Sequence, residues 1–209
     1  MADAAESLDL LDEHGDPTGA AKPRAAVHRD GDWHRALHLW VVHPDGYVLL
    51  QRRSRSKDLA PGKVDVSVGG HLRAGEIWLD ALREAEEEIG LEVGPADVEF
   101  LGTERSERCY PDGSIDREFQ DVYVSLVSDR ALHDYHLRCD EVLVLYEAPL
   151  ERLIELYRDG RPMPVAGWDC QRRHNDALLV PEDLIAEGRA GTLASLERLA
   201  VWWGELGRG

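Results

Sequence analysis

The chain has 209 residues, of which 43% are hydrophobic and 31% are charged, a composition typical of a globular protein. Its formal net charge of −17 argues against general nucleic-acid binding and against attraction to an anionic membrane surface. No apolar run approaches the ~20 residues of a membrane helix, and the acidic first residues do not resemble a secretory signal. We therefore expect a cytoplasmic protein that has no nucleic-acid partner and no membrane partner.

The cysteines point to the same compartment. Cys109, Cys139 and Cys170 are odd in number and about thirty residues apart. This spacing predicts neither a disulfide framework nor a Cys-x-x-Cys metal knuckle. Reduced thiols are typical of the cytoplasm.

Short apolar runs, some alternating with polar residues, predict the strands. They lie at residues 8–11, 37–41, 47–51, 65–68, 98–103, 121–127 and 142–146. Helices are predicted at residues 79–89, 150–157, 181–187 and 193–206, and a linker at residues 161–164. Strands that mix with helices in this order favour an α+β or mixed α/β sandwich over a doubly wound parallel sheet. We expect one domain over residues 1–160 and, packed on it, a helical C-terminal extension over residues 161–209.

The segment Arg83-Glu84-Ala85-Glu86-Glu87-Glu88-Ile89-Gly90-Leu91 is strongly acidic. On a helix that turns about 100° per residue, Glu84, Glu87 and Glu88 share one face within an arc of about 100°. Like charges at these spacings repel one another, so a sequence selected for stability alone would place lysine among them. Converging carboxylates are instead what Mg²⁺ or Mn²⁺ needs, because these ions prefer oxygen ligands. A solvated acidic helix face is the alternative.

Upstream stands Gly69-Gly70-His71-Leu72-Arg73-Ala74-Gly75-Glu76. Together with the acidic helix it resembles the signature of the Nudix hydrolases, G-x5-E-x7-R-E-U-x-E-E-x-G-U, where U is apolar. The nine positions that fit are Gly70, Glu76, Arg83, Glu84, Ala85, Glu87, Glu88, Gly90 and Leu91. Only six residues separate Glu76 from Arg83, where the signature has seven, so the loop into the helix is one residue short.

The resemblance implies an α/β/α sandwich with a mixed sheet and a catalytic loop–helix–loop that binds Mg²⁺ or Mn²⁺. It implies that Glu87 and Glu88 hold the metal, and that Glu84 is a further ligand or helps to orient the attacking water. Glu84 and Glu87 are thus the implied catalytic glutamates, with Glu84, Glu87 and Glu88 as the implied metal ligands. Arg83 would hold a glutamate of this cluster by an ion pair. The implied reaction is hydrolysis of a diphosphate, which needs charge neutralised on bridging oxygens and a nucleophilic water. Divalent ions supply both.

A wider likeness concerns the branch of this superfamily that contains isopentenyl diphosphate isomerase, including an isomerase-like N-terminal domain of a plant Nudix hydrolase. The similar segments are residues 10–19, 28–36, 51–54 and 57–62. In that branch three histidines and two carboxylates hold a metal. The likeness covers residues 8–156 and leaves the tail from residue 161 unmatched.

Five residues fit the isomerase metal site. They are His34 and His71, then His28 if a one-residue gap is allowed, and the carboxylates Asp116 and Glu118. At i and i+2 of a strand the two carboxylates point to the same side. We take Glu118 as a further ligand or base, and His34 and His71 as substrate contacts. Hydrogen-bonded structural histidines are the alternative.

Gly69 stands where the isomerase has its catalytic cysteine, two residues before His71. Without that thiol the isomerase mechanism lacks its proton donor. The chain also keeps all three glutamates, which the isomerase branch typically loses. The sequence therefore favours hydrolysis over isomerisation.

A basic stretch, residues 51–63, contrasts with the acidic whole. Its cations are Arg52, Arg53, Arg55, Lys57 and Lys63. An arginine fork suits a diphosphate, so we expect Arg52 and Arg53 to bind substrate. A solvated basic loop is the alternative.

These observations predict a Mg²⁺- or Mn²⁺-dependent hydrolase of a nucleoside diphosphate-type or other organic diphosphate. Its partner is a small-molecule diphosphate substrate, and the sequence leaves a homodimer open. The alternatives are an isopentenyl diphosphate isomerase-like enzyme and a non-catalytic nucleotide-sensing module. The sensing module is disfavoured because such modules usually lose the glutamates that are present here.

Overall fold

A computed structural model describes residues 6–110, 112–128 and 130–207, so the outer limits of the predicted domains, residues 1 and 209, lie outside it. Its strands are β1 Ser7–Leu11, β2 Pro17–Pro23, β3 Trp33–Val42, β4 Tyr47–Arg53, β5 Val64–Asp65, β6 Val68–His71, β7 Glu99–Cys109, β8 Ile115–Leu126, β9 Val142–Pro149, β10 Met163–Asp169 and β11 Ala177–Leu179. Its α-helices are α1 Arg24–Asp30, α2 Trp78–Ala81, α3 Arg83–Ile89, α4 Leu150–Asp159 and α5 Arg189–Glu205.

Strand β3 is the hub of a mixed sheet whose main path runs β11-β10-β9-β4-β3-β1-β2. It pairs in parallel with β8 from Trp33 opposite Arg117 to Val42 opposite Leu126, and antiparallel with β1, β4 and β6. Strand β7 extends the sheet beyond β8. The start of β3, the end of β6 and the start of β8 therefore lie next to one another in the sheet.

The period-two alternation of β3 produces two hydrophobic cores. Leu37, Leu39 and Val41 pack with α2 and α3 on one face of the sheet, whereas Trp40 and Val42 pack with α4 and α5 on the other. The predicted helix–sheet–helix sandwich with a mixed sheet is therefore confirmed. None of the helices in the described ranges combines the length and the apolar character that crossing a membrane requires.

The helix predicted over residues 79–89 is divided at Leu82. The Leu82 N–H bonds to the Leu79 carbonyl at 3.3 Å, and the Ala85 N–H bonds to the Leu82 carbonyl at 3.1 Å. Both are three-residue rather than four-residue bonds, so the chain is locally wound more tightly than an α-helix. This tight turn lies directly before Arg83, at the end of the segment that is one residue shorter than the signature.

The C-terminal extension differs from its prediction. The predicted linker is wrong, because Met163–Asp169 is β10, which pairs with β9 in the central sheet. Pro164 is tolerated there because it lies where β10 pairs with β11 and not yet with β9. The helix predicted at residues 181–187 is also wrong, since only a single 3-10 turn forms, at Pro181–Asp183. The last predicted helix is confirmed as α5.

Cys139 and Cys170 form a disulfide, so the expectation of unpaired cysteines is wrong for this pair. The two residues are 31 positions apart in sequence, but their Cα atoms are separated by 5.3 Å. Cys139 precedes β9 and Cys170 follows β10, and the antiparallel pairing of these strands brings the two ends together. Cys109 is a free, exposed thiol.

Candidate active site

A cavity of about 340 Å³ opens where the ends of β3, β6 and β8 approach α3. Glu84 and Glu87 of α3 line one part of it, and His71, Asp116 and Glu118 line another. The sheet register explains the second group. Parallel pairing places His34 opposite Glu118, and antiparallel pairing places Ala36 opposite His71.

Three histidines cluster beside this cavity. His28 comes from the last turn of α1, His34 from the start of β3 and His71 from the end of β6. Their ring centroids lie 4.9 to 5.3 Å from one another. His28 therefore joins His34 and His71, the two histidines that fitted the isomerase pattern without a gap. It reaches them from helix α1, which lies outside the sheet.

Two carboxylates complete the cluster. Asp116 Oδ1 lies 3.6 Å from His34 Nε2 and 3.8 Å from His28 Nε2. Glu118 Oε1 lies 3.2 Å from His71 Nε2. As expected from their i and i+2 spacing, both carboxylates line the same cavity.

This cluster fits a divalent metal ion. One ligand atom from each of His28, His34, His71 and Asp116 lies within 4.8 Å of the other three. Both ring nitrogens of His28, His34 Nε2 and Asp116 Oδ1 are buried and have no hydrogen-bond partner among the described residues, as is typical of ligands that face an ion. Imidazole nitrogens with a carboxylate oxygen suit Mn²⁺, Zn²⁺ or Fe²⁺ better than Mg²⁺.

The protonation states agree with that chemistry. Burial lowers the pKa of His28 to about 4 and that of His71 to about 3, and it lowers the pKa of His34 as well. The rings are therefore neutral at pH 7, which is the form that coordinates metals.

The carboxylates divide into one that holds a proton and one that does not. Burial and the charge of Glu118 raise the pKa of Asp116 to about 8. Burial acts in the same sense on Glu118, but its hydrogen bond with His71 and the charge of Arg108 hold the pKa of that carboxyl well below its usual range. Without a metal, the pair thus carries one negative charge near pH 7.

The three glutamates of α3 are not equivalent. Glu84 and Glu87 line the cavity, whereas Glu88 is buried and accepts hydrogen bonds from Gln51 Nε2 at 3.0 Å and from the Gly69 N–H at 3.4 Å. Burial raises the pKa of Glu84 to about 7 and that of Glu88 to about 8. Among the described residues, the carboxylate oxygens of Glu84, Glu87 and Glu88 do not all lie as close to one another as the ligand atoms of the histidine cluster do.

Arg83 holds the glutamates around it. Its guanidinium lies 2.7 Å from Glu84 Oε1, 3.7 Å from Glu87 Oε1 and 2.9 Å from Glu76 Oε2. The contact with Glu76 forms despite the shortened loop. Arg83 therefore has the ion-pairing environment that the sequence predicted for it.

The two arginines predicted to bind substrate have separate environments. Arg53 lines the cavity and pairs with Asp65 at 3.0 Å. Arg52, the next residue of β4, is not among the lining residues, and it donates instead to the Tyr146 hydroxyl, the Gly62 carbonyl and Asp183. The alternation of β4 sends the two side chains to opposite faces of the sheet.

Sequence reasoning missed several lining residues. They are Arg24, His38, Lys57, Asp65, Arg73, Arg108, Arg138 and Ile185. Arg108 is the most informative, because it is buried and its Nη1 lies 3.6 Å from Asp116 and 3.8 Å from Glu118. The only signal in the sequence was that β7, which carries Arg108, directly precedes β8. Antiparallel pairing of these two strands places Arg108 opposite Asp116.

A family model described as the NUDIX domain matches residues 32–160. "Nudix hydrolase 3" of Arabidopsis thaliana is 41% identical over 152 residues, which cover 71% of this chain but only 20% of that protein. An uncharacterized Nudix hydrolase of Clostridium acetobutylicum is 36% identical over 152 residues, or 71% of this chain and 72% of that protein. An isopentenyl-diphosphate Delta-isomerase of Escherichia coli O127:H6 is 32% identical over 147 residues, or 67% and 80%.

Solved structures show the same architecture. A protein from Deinococcus radiodurans is 26% identical, with a TM-score of 0.59, and the match covers 75% of this chain and 91% of that one. The MutT protein of Methanosarcina mazei Go1 is 20% identical, with a TM-score of 0.54 and coverage of 80% and 95%. The latter likeness concerns the fold alone.

Proposed function

Since the chain belongs to the Nudix domain family, we propose that it hydrolyses a diphosphate linkage with the help of Mg²⁺ or Mn²⁺. The substrate class is a nucleoside diphosphate-type or other organic diphosphate. The observation that carries the proposal is that Glu84 and Glu87 face the same cavity as a set of cationic side chains. This combination places ligands for a hard cation beside groups that pair with phosphate oxygens.

A divalent ion bound in this cavity would neutralise diphosphate charge and lower the pKa of a bound water. Glu84 and Glu87 are the residues that would hold it, with Glu88 buried behind them. Arg83 orients Glu84 and Glu87 through its ion pairs. Arg53 is the lining cation of the predicted pair, and we assign it rather than Arg52 to the diphosphate.

We assign a second metal centre to His28, His34, His71 and Asp116. The support is the set of buried nitrogen and oxygen atoms without partners that converge there. In the metal-free protein Glu118 is ionised and accepts a hydrogen bond from His71. Once His71 binds an ion that hydrogen bond is lost, and the Glu118 carboxylate would be suited to bind the same ion or to accept a proton from water.

The same cluster favours isomerisation as a second candidate function, because it matches the set implied by the isomerase resemblance. Gly69 argues against it. A Cβ there would lie 3.5 Å from Val66 Cγ2 and 3.7 Å from His38 Cδ2, so the site has room for a side chain but presents no thiol. Deuterium incorporation from solvent into isopentenyl diphosphate at an enzyme-like rate would establish isomerisation and overturn hydrolysis as the main reaction.

The hydrolytic proposal is tested by a screen of organic diphosphates with Mg²⁺ and with Mn²⁺, read as the inorganic phosphate or phosphate monoester released. We expect turnover of at least one substrate class that EDTA abolishes. Absence of metal-dependent release from every class would contradict the proposal. The screen also identifies the group attached to the diphosphate, which the signature residues do not determine.

A further inference from the structure

One lining residue of the cavity comes from outside the segment that matches the family. Ile185 lies in the extension, after the 3-10 turn Pro181–Asp183, and its side chain is 8% exposed. Of the described residues that line the cavity, the next along the chain before it is Glu141. The family match ends at residue 160. The extension therefore contributes a lining residue that the matched domain does not supply.

The segment that carries Ile185 is fixed to β5 and to the loop between β4 and β5. Leu184 forms a parallel bridge with Val64, and Lys63 Nζ donates to the Glu182 carbonyl at 2.6 Å. Arg52 Nη2 donates to Asp183 Oδ1 at 3.0 Å. Arg52 thus anchors the segment that carries Ile185, although it does not line the cavity itself.

The other end of the segment passes close to Arg108 and is fixed by Arg189. A Cβ on Gly188 would lie 2.7 Å from Arg108 Nε, and Gly188 has a φ of +77° that disfavours other residues. Arg189, the next residue, donates to the carbonyls of Leu156 and Tyr157. Ile185 is held between these two anchored ends, so its position in the cavity is set by the fold.

The aliphatic lining of the cavity is small. Leu59 and Ala60, from the loop between β4 and β5, line the cavity together with Ile185, and Ala36 of β3 is the other aliphatic lining residue among those described. The charged lining suits the diphosphate, so the apolar lining is left for the group that the diphosphate carries. A volume of about 340 Å³ is near the lower limit of ligand sites, where one side chain changes what fits.

We propose that Ile185 is a specificity-determining residue that limits the size of the group attached to the diphosphate. This inference rests on the proposed function. Removing or adding a methylene in an apolar pocket changes discrimination by about 10- to 200-fold. Shortening Ile185 should therefore favour larger ligands, and enlarging it should disfavour them.

The test measures binding, so it does not depend on turnover. The probes are methylenediphosphonate and adenosine 5′-(α,β-methylene)diphosphate, titrated by calorimetry in Mn²⁺, and the readout is the ratio of their two affinities. We expect Ile185→Ala to shift this ratio at least about 10-fold towards the larger probe and Ile185→Trp to shift it by as much in the opposite direction. Ile185→Val, which removes a single methylene, should shift the affinity ratio in the same direction as Ile185→Ala. Because this change is small, it keeps the test valid if the alanine or tryptophan variant fails to fold.

Leu178→Ala is the matched control, because Leu178 is an exposed apolar residue of the same extension that does not line this cavity. It should leave the ratio unchanged. A ratio within twofold of wild type in the alanine, valine and tryptophan variants would overturn the role of Ile185. Failure of the wild type to bind methylenediphosphonate at all would instead overturn the proposed function, and this inference with it.

Discussion

Gly70 of β6 and Glu84 of α3 approach so closely that a Cβ on the glycine would overlap Cγ of the glutamate and lie 2.7 Å from its Cδ. The strand that carries His71 and the helix that carries the acidic cluster are therefore in direct contact at the cavity. The glycine of the signature thus has a steric reason here: it leaves room for the Glu84 side chain.

Gly70→Ala should displace Glu84 from the cavity. We expect overpacking to cost about 1–3 kcal/mol of unfolding free energy, and the affinity for Mn²⁺ to fall. Gly69→Ala is the matched control, since its Cβ makes only ordinary contacts. Denaturant unfolding and calorimetry check both variants. Equal losses in the two variants would show that the Gly70–Glu84 contact has no special role.

The histidine cluster should add one ion to the binding stoichiometry. At pH 7.5 we expect His71→Ala to bind one Mn²⁺ fewer than the wild type, whereas His133→Ala, at an exposed site, should bind the same number. Identical stoichiometry in wild type and His71→Ala would leave these histidines with a structural role only.

The pH dependence of that second ion is expected to follow Asp116 rather than the imidazoles. Because the pKa of His28 is about 4 and that of His71 about 3, these two rings remain neutral at pH 5.5. Asp116, with a pKa raised to about 8, must lose a proton before it binds a cation. Affinity should therefore weaken as pH falls below about 8, with proton release detectable by calorimetry in buffers of different ionisation enthalpy. Weakening confined to pH below 4 would contradict this.

Glu88 should make the metal-free protein less stable as pH rises. Its usual pKa of 4.5 is raised to about 8 by burial, so its contribution is complete below pH 4.5 and is lost as pH rises through 8. Between pH 6.5 and 8 the loss approaches about 1 kcal/mol per pH unit. The buried histidines, whose pKa values are lowered, make the protein more stable as pH rises. They do so only below pH 6.5, outside this window.

Glu88→Gln tests this, with Glu86→Gln as control, because Glu86 is exposed on the same helix. In EDTA, the free energy of unfolding of Glu88→Gln should fall less steeply with pH than that of the wild type or Glu86→Gln. Parallel curves for all three proteins would show that Glu88 is ionised in the folded state at neutral pH.

The disulfide should contribute measurably to stability. Joining Cys139 to Cys170 closes a loop across 31 positions, which corresponds to about 3–4 kcal/mol in the chain-entropy description. Cys139→Ser should lower the unfolding free energy by that order, and Cys109→Ser, at the free cysteine, should not. A dithiol reductant should lower the stability of the wild type but not that of Cys139→Ser. Equal stability of the two serine variants under oxidising conditions would contradict the pairing.

The spacing of residues along the sequence predicted the local features well. The alternation of β3 and the face shared by Glu84 and Glu87 depend on geometry within one element, so period and spacing were sufficient. Glu88 lies close to that face, yet it is buried against Gln51 and Gly69. Which way it points depends on the packing of α3 on β6, and no local pattern encodes that.

The features that were missed, and His28, which fitted the cluster only with a gap, arise from contacts distant in sequence. His28 reaches the cluster from a helix, Arg108 from a strand that pairs with β8, and Ile185 from a segment anchored 131 positions away, through the bond between Arg52 and Asp183. The prolines of residues 161–164 suggested a linker because proline usually excludes a central strand. Here the strand is paired on one side only at that point, which a single sequence does not show.

Diphosphate hydrolysis in this protein is proposed to depend on a metal held by the α3 glutamates. Glu87→Gln removes one charge from the cavity, whereas Glu86→Gln removes the same charge from the exposed face of the same helix. The measurement is metal-dependent kcat/KM of the two variants and the wild type on the best substrate of the screen. We predict a loss of at least about 100-fold for Glu87→Gln, the order expected when a charge-stabilising group is removed, and near wild-type activity for Glu86→Gln. Wild-type activity in Glu87→Gln would contradict the account.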